Sequence, residues 1–286
     1  MPEPVIKTPA LVDIGINLAH DGYDHDRADV LARAEAAGVL RMVVTGSSLD
    51  STARAIELCR QWPDRLRCTA GIHPHHAEAF PLADLPRLAA LLGDPMVTAA
   101  GECGLDYYRN FSAPRAQRAM FERQLELALA ARKPVFLHQR DAHADFMAIL
   151  RDYLPGLPRA VVHCFTGTGD ELEEYLAEGL YVGITGWICD ERRGREVLGL
   201  TRGIPLGRLM IETDGPYLLP RNLTPKPAHR RNEPMYLPAI LHAIAEQRAE
   251  EAAVIAAATT RNALIFFDLP PLPASETLAC ERISLE

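Results

Sequence analysis

The sequence lacks any pair of cysteines at the C-x-x-C spacing, although it contains six cysteines in 286 residues. Such pairs are the usual mark of zinc and redox sites, so the cysteines predict neither kind of site. Thiols scattered through apolar segments are instead typical of buried, reduced cysteines in a reducing compartment. We therefore expect free thiols and a cytoplasmic location.

Long apolar runs are also absent, and no apolar stretch of the sequence is long enough to cross a bilayer. The first ten residues, MPEPVIKTPA, contain prolines and no apolar core, which is unlike a signal peptide. We predict that residues 1–10 form an N-terminal extension of a soluble protein that has no membrane partner. We also expect the protein to be a monomer.

Positive charge is scarce, since 30 Lys and Arg residues face 38 Asp and Glu residues and the formal net charge is −8. Tight non-specific binding of duplex DNA requires Lys and Arg to neutralise phosphates, and an acidic chain disfavours it. The net charge does not exclude a local basic cleft. Hydrophobic residues make up 48% of the chain, which excludes general disorder and supplies a sizeable core.

No G-x-G-x-x-G fingerprint follows any apolar run, so the sequence does not support a dinucleotide-binding fold. Eight apolar runs alternate with amphipathic segments, and they are LVDIGI, VLRMVVTG, LRCTAGI, MVTAAGE, PVFLH, RAVVH, LYVGIT and RLMIETD. This pattern predicts an α/β fold, a single-domain (β/α)8 TIM barrel over residues 11–267. An open doubly wound sheet is the alternative. Residues 268–286 are predicted to form a C-terminal tail, either a surface strap or a disordered end.

Acids and imidazoles follow four of the predicted strands, and they are Glu102, His138, His163 and Asp214. A single histidine in such a position is more often a structural group than a ligand. In a barrel, however, the carboxyl ends of the strands meet at one mouth, where these four groups would converge. Two imidazoles and two carboxylates suffice to hold a divalent cation with room for water. A bound cation would lower the pKa of that water, and Asp214 is the candidate to accept its proton.

The segment LLPRNLTPKPAHRRNEP follows the last predicted strand and contains several prolines. We call it the basic loop, and its four cationic residues are Arg221, Lys226, Arg230 and Arg231. A solvated surface loop is one interpretation of this composition. The other is a cationic rim beside the mouth, which would suit an anionic substrate such as a phosphate.

Further candidates for substrate binding follow other predicted strands, with His73 in AGIHPHH, Arg109 in LDYYRNF and Arg140 in HQRD. The rings near Arg109, together with Trp187, could stack on a nucleobase. Packing within the core or a loop explains these aromatic residues equally well.

Six motifs follow one another along the chain, and they are AGIHPHH, AAGECGLDYYRNFS, KPVFLHQRDAH, HCFTGT, GITGWICDERRG and IETDGPYLLPRNLTPKPAHRRNEP. Together they resemble the TatD family of metal-dependent deoxyribonucleases, from about Leu11 to Phe267. The resemblance implies a TIM barrel of the amidohydrolase type and Mg²⁺-dependent hydrolysis of phosphodiesters. It also implies 3′→5′ exonuclease action on single-stranded DNA or RNA, in DNA repair or turnover.

The resemblance assigns roles by position along the chain. Glu102, His138, His163 and Asp214 match the metal ligands of the family, and Glu102 and Asp214 are the catalytic carboxylates. Asp214 also matches the residue expected to activate water. His73 matches a residue that lines the phosphate site.

One motif of the family is missing, because Gly15 and Asn17 stand where most relatives carry His-x-His. This predicts one well-held metal ion and a weaker second one. Histidine ligands lean toward Zn²⁺ or Mn²⁺, but the resemblance and the loss of two imidazoles favour Mg²⁺. The alternatives are a deacylase of D-aminoacyl-tRNA or another amidohydrolase-type hydrolase, and a non-catalytic nucleic-acid-binding protein.

Overall fold

Eight parallel strands pair in chain order in the computed structural model, which describes residues 10–272. The strands are β1 (Leu11–Ile16), β2 (Val39–Val44), β3 (Leu66–Ala70), β4 (Val97–Asp106), β5 (Val135–Arg140), β6 (Ala160–Val162), β7 (Tyr181–Ile184) and β8 (Leu209–Ile211). The segment after β8 reaches back to β1, since the Asp214 amide donates to the Gly15 carbonyl at 2.8 Å. The Asn17 amide likewise donates to the Gly215 carbonyl at 2.8 Å. The sheet therefore closes, which confirms the predicted barrel. The alternative prediction of an open doubly wound sheet is wrong.

Helices cover the outside of the barrel, as the alternating sequence pattern predicts. They are α1 (Arg27–Ala36), α2 (Leu49–Gln61), α3 (Leu85–Leu92), α4 (Pro114–Ala131), α5 (His143–Tyr153), α6 (Gly169–Ala177), α7 (Arg195–Leu200), α8 (Leu237–Ala245) and α9 (Ala252–Phe266). Local chemistry sets several of their starts. Ser48 and Thr168 each accept a backbone N–H as the N-cap of a capping box, which satisfies a donor that the first turn leaves unpaired.

The interior of the barrel is filled by apolar side chains from the strands, from the end of α9 and from the residues just after it. This inner cluster contains Val12, Ile14, Val43, Ala99, Phe136, Val161, Met210, Ala263, Phe266, Phe267 and Leu269. Phe266 and Phe267 come from the end of α9 and are fully buried. Burial of each ring stabilises the folded state by about 1.5–3 kcal/mol relative to leaving the ring in water. Because the amino-terminal end of the barrel is filled in this way, a cavity for ligands is left to the carboxyl ends of the strands.

The chain just after α9 stays attached to the barrel. Leu269 and Leu272 are buried, and the Arg41 guanidinium donates to the carbonyl of Pro270 at 3.3 Å. Residues 1–9 and 273–286 lie outside the described residues, and so do most of the predicted N-terminal extension and C-terminal tail. In the described part, the cysteines are free thiols. Within residues 10–272, no helix combines the length and the apolarity needed to cross a membrane.

Candidate active site

An irregularity in β4 brings Glu102 to the mouth of the barrel. The pairing of β4 with β5 shifts register between Ala100 and Cys103, as at a β-bulge, which re-aims side chains. Gly101 has a φ of +129°, and a Cβ on it would lie 2.1 Å from the carbonyl oxygen of Phe136. Only glycine tolerates both the backbone conformation and the close approach. Glycine at this position therefore lets the strand bend just before the carboxylate.

The four predicted ligands line one cavity of about 410 Å³ at the carboxyl ends of the strands. The Oε1 atom of Glu102 lies 2.8 Å from Nε2 of His163 and 3.1 Å from Nδ1 of His138. The Oδ1 atom of Asp214 accepts a hydrogen bond of 3.2 Å from the side-chain amide of Asn17. The structure thus brings together the groups that the sequence placed on four separate strands, and Asn17 supports one of them.

His73 belongs to a group of three residues, with Glu102 and His138, whose possible ligand atoms lie within 4.8 Å of one another. Its Nδ1 accepts a hydrogen bond of 3.1 Å from the backbone N–H of His75. Burial lowers the pKa of His73 to about 4, so the ring is neutral. The hydrogen bond assigns the single ring proton to Nε2, which faces Glu102 at 3.3 Å. In the metal-free protein the Nε2–H therefore donates toward Glu102, and the same N–H suits a phosphate oxygen placed next to that carboxylate.

Two further carboxylates lie behind the imidazoles of the cavity. The Oδ2 atom of Asp106 is 3.3 Å from Nε2 of His138, and the Oε2 atom of Glu212 is 3.4 Å from Nδ1 of His163. Asp106 is hydrogen-bonded to its imidazole and Glu212 lies at ion-pair distance from its own, and in each case the other ring nitrogen is directed at Glu102. This is the arrangement by which outer carboxylates orient histidine ligands of a metal.

Asp106 and Glu212 were not among the predicted site residues, although Asp106 lies on the same strand as Glu102 and Glu212 follows the same strand as Asp214. Strand position alone shows that a residue is near the mouth and does not show which nitrogen of an imidazole it contacts.

Glu212 also explains what occupies the space next to β1. Its side chain is fully buried, and its carboxylate accepts a hydrogen bond from the backbone N–H of Cys164. A Cβ on Gly15 would lie 2.2 Å from Oε2 of Glu212, and a Cβ on Gly183 would lie 2.7 Å from Oε1. No side chain at position 15 fits beside this carboxylate. The missing imidazole at Gly15 is therefore matched by a buried acid.

The charges of the cavity are strongly coupled. Burial raises the pKa of Asp214 to about 8; the cations on His163 and His138 oppose this, and the nearby Glu102 and Glu212 add to it. Burial would also raise the pKa of Glu102, but the imidazoles, His73 and His163 first, hold it well below its usual range. The pKa of His163 lies well above its usual value, because Glu102 and Glu212 outweigh the effect of burial.

Without a metal, protons on the imidazoles therefore balance the carboxylates. The Nδ1 atom of His163 and the Oε2 atom of Glu212 are buried and form no hydrogen bond within the described residues. A divalent cation would supply the same positive charge in place of protons, as ligand deprotonation at metal sites requires. The donor set thus fits a divalent cation.

The predicted substrate-binding residues separate into two groups. His73, Arg109 and Arg140 line the cavity. The four cations of the basic loop are not among the described residues that line it. Arg221 pairs with Asp190 at 3.4 Å. Arg231 pairs with Asp26 at 2.6 Å, and with Glu233 of its own segment at 2.7 Å. Lys226 and Arg230 are exposed.

The comparisons with known proteins agree with the fold and identify the family. The sequence profile of the TatD related DNase family matches residues 12–268. The chain belongs to this family. A 3′-5′ ssDNA/RNA exonuclease TatD from Cronobacter sakazakii is 51% identical over 257 residues, which cover 90% of this chain and 97% of that protein. The protein of the same description from Cronobacter turicensis is 53% identical over 257 residues, with the same coverage.

Solved structures of the family have the same architecture. The crystal structure of the TatD homologue YJJV from Escherichia coli K12 aligns with a TM-score of 0.83 at 27% identity, covering 91% of this chain and 98% of that one. A TatD family hydrolase from Entamoeba histolytica aligns equally well, with a TM-score of 0.83, 27% identity and the same coverage. The family resemblance stated from the motifs is confirmed.

Proposed function

We propose that this protein is a metal-dependent nuclease that removes nucleotides from the 3′ end of single-stranded DNA or RNA. The observation that carries the proposal is the convergence of Glu102, His138, His163 and Asp214 in one cavity. Membership of the TatD related DNase family and the names of relatives about half identical to this chain support the nuclease assignment.

Glu102, His138, His163 and Asp214 would hold the cation. The cation would polarise a phosphoryl oxygen and lower the pKa of water in the cavity. We propose Mg²⁺ as the metal, with Mn²⁺ or Zn²⁺ as substitutes, because carboxylate and water ligands suit Mg²⁺ and two imidazoles are absent at Gly15 and Asn17.

The side chains of the cavity have distinct tasks in this proposal. The Nε2–H of His73 donates to a non-bridging oxygen of the scissile phosphate, which positions that phosphate next to Glu102. Asp214 accepts the proton of the attacking water, and its hydrogen bond from Asn17 directs the carboxylate. Hydrogen bonds and burial hold these groups before the substrate arrives, which lowers the cost of organising the transition state.

The test is digestion of single-stranded DNA and RNA oligonucleotides that carry a label at the 5′ end. With Mg²⁺ we expect a ladder of products shortened one nucleotide at a time, and no products with EDTA. Asp214→Asn should reduce kcat by about 10²-fold or more, since the general base is lost. Asp141→Asn is the matched control, because Asp141 is exposed and follows β5 outside the cavity.

An undigested substrate with metal-loaded wild-type protein would contradict the proposal. Higher kcat/KM on D-aminoacyl-tRNA or on a cyclic amide than on single-stranded DNA would favour one of the alternative hydrolases. A cytoplasmic location, a monomeric state and a role in DNA repair or turnover stay predictions.

A further inference from the structure

Exposed aromatic rings are concentrated at the mouth of the barrel. Within residues 10–272, the large hydrophobic side chains that are more than half exposed are Leu82, Tyr108, Phe111, Tyr217 and Ile265. The three aromatic ones all come from loops that follow β4 or β8, and Tyr108 is 59% exposed. Apolar rings that are exposed to solvent next to a cavity are typical of a ligand-binding surface.

Tyr108 belongs to a row of alternating rings and guanidinium groups. The guanidinium carbon of Arg140 lies 4.6 Å from the centre of the Tyr108 ring and 5.2 Å from the centre of the Trp187 ring. The guanidinium carbon of Arg109 lies 5.8 Å from the centre of the Tyr108 ring. The guanidinium carbon of Arg193 lies 4.6 Å from the centre of the Trp187 ring. We call these five residues the arginine–aromatic ridge. It runs along the rim of the cavity formed by the ends of β4, β5 and β7.

Two cations of the ridge are electrically uncompensated. Arg193 pairs with Asp190 at 3.0 Å, but neither Arg109 nor Arg140 forms an ion pair with any carboxylate in the described part of the chain. Both of these arginines line the cavity. Free guanidinium groups beside an exposed ring match a polyanion whose monomers each carry a phosphate and a flat base.

The neighbouring tyrosine has a different environment. The Tyr107 hydroxyl donates to Asp145 at 2.7 Å, and the ring is partly buried against the core. Tyr107 therefore fixes the loop, and Tyr108 is the ring left free to bind. Trp187 is likewise partly buried, so it serves to hold Arg140 in place.

We propose that the arginine–aromatic ridge binds the nucleotides on the 5′ side of the scissile phosphate. A base stacks on Tyr108, and the phosphates next to it contact Arg109 and Arg140. The strand then leaves the cavity over the ends of β4 and β5, and not over the basic loop. This inference rests on the proposed nuclease function and adds the path of the substrate strand.

Binding measurements test the path without requiring catalysis. Fluorescence anisotropy of a labelled single-stranded octanucleotide in EDTA should give a Kd about tenfold weaker for Tyr108→Ala than for wild type, as expected for one lost base–aromatic stack. Tyr108→Phe should restore the wild-type Kd, because it keeps the ring. Leu82→Ala is the control for loss of exposed apolar surface, since Leu82 is 63% exposed and does not line the cavity.

Abasic substrates locate the contact along the strand. An abasic nucleotide at the stacked position should weaken wild-type binding and leave Tyr108→Ala binding unchanged, whereas the same lesion elsewhere should affect both proteins equally. Arg140→Lys keeps the charge but loses the flat guanidinium, and we expect it to weaken binding several-fold. The double variant of Arg221→Ala and Arg230→Ala should bind as the wild type does.

Two outcomes would overturn the inference. One is an unchanged Kd for Tyr108→Ala, and the other is a larger loss for the Arg221 and Arg230 double variant than for Arg140→Lys. A wild-type protein that binds the strand by the ridge but leaves it uncut would contradict the proposed nuclease function and not this inference.

Discussion

The carboxylate of Glu212 acts on the cavity through His163 and not through a contact of its own with substrate. It occupies the space that Gly15 and Gly183 leave open, and it faces Nδ1 of His163 at 3.4 Å. A glutamate in this place keeps Nε2 of the imidazole directed at Glu102. His163 thus supplies the ring nitrogen at the cavity, and Glu212 sets the orientation of that ring.

We predict that Glu212→Gln weakens divalent metal binding by about 10–100-fold, as loss of an outer carboxylate does at other histidine sites. Calorimetric titration with Mn²⁺ and Mg²⁺ measures the effect, and the pattern of ¹⁵N shifts of His163 should change with it. Glu173→Gln, on the exposed face of α6, should leave the affinity unchanged. Wild-type affinity in the Glu212 variant would show that His163 is oriented by other contacts.

Asp13 provides a pH prediction. Burial raises the pKa of Asp13 from 3.8 to about 7, against the opposing hydrogen bonds from Thr213. The native state therefore binds more protons than the unfolded state between these two pKa values, and stability falls as the pH rises through that interval. Asp13→Asn removes this titration. From about pH 5 to about pH 8 in EDTA, denaturant unfolding should show wild type losing stability relative to the variant.

A constant difference in the free energy of unfolding between the two proteins across this pH range would exclude Asp13 as the titrating group.

At the scale of elements, the basic loop is attached to α1 and its neighbours by ion pairs. Arg231 pairs with Asp26 and Glu233, donates to the carbonyl of Gly22 at 2.7 Å and lies over the ring of Tyr23 at 5.1 Å. These contacts fix the segment that returns from β8 to α8. An arginine that composition suggests for the substrate is thereby used to hold the loop.

We predict that Arg231→Ala lowers the free energy of unfolding by about 1–3 kcal/mol, because charged hydrogen bonds are lost and the buried Glu233 loses one partner. The kcat/KM on single-stranded DNA should stay within about twofold of wild type, since surface changes away from the site have small effects. Denaturant unfolding and the digestion assay measure the two quantities. Arg230→Ala, at the exposed neighbouring position, should change neither.

A large loss of activity with full stability in Arg231→Ala would instead place this side chain at the substrate.

The whole molecule combines a well-packed barrel with a mouth in which several carboxylates are buried. Asp214 is buried next to other carboxylates, and its pKa is raised to about 8. Burial of an ionisable carboxylate, to which the neighbouring Glu102 and Glu212 add, reduces the stability of the metal-free protein, and a bound cation offsets this cost. Function and stability are therefore opposed at this mouth.

We predict that Asp214→Asn raises the Tm of the metal-free protein, by about 2–4 °C for each kcal/mol of the cost of burying this carboxyl group that is removed. Mg²⁺ should stabilise wild type by about 2.7 kcal/mol at a hundredfold excess over Kd, and the variant by much less. Calorimetric scans with EDTA and with MgCl₂ give both values, and Asp141→Asn should behave as wild type. A metal-free variant that melts below wild type would show that burial of the Asp214 carboxyl group does not destabilise the protein.

Much of the barrel follows from local pattern. The eight apolar runs predict the eight strands in their correct order, because buried parallel strands need continuous apolar segments and the helices between them need an amphipathic period. Finer local details were harder to predict. Serine is a preferred N-cap residue and Ser112 lies just before α4, but the cap is Ala113, and the Ser112 hydroxyl donates to the carbonyl of His75 at 3.0 Å.

The sequence by itself determined the strand order, the family and the four groups at the strand ends. Only the tertiary structure decided which nitrogen of each imidazole is free, since Asp106 and Glu212 approach the rings from other strands. It also decided that Arg231 forms ion pairs, whereas Arg140 forms none with the described residues. Strand position depends on local periodicity, which a sequence contains, whereas tautomers and ion pairs depend on distances between residues far apart in the chain.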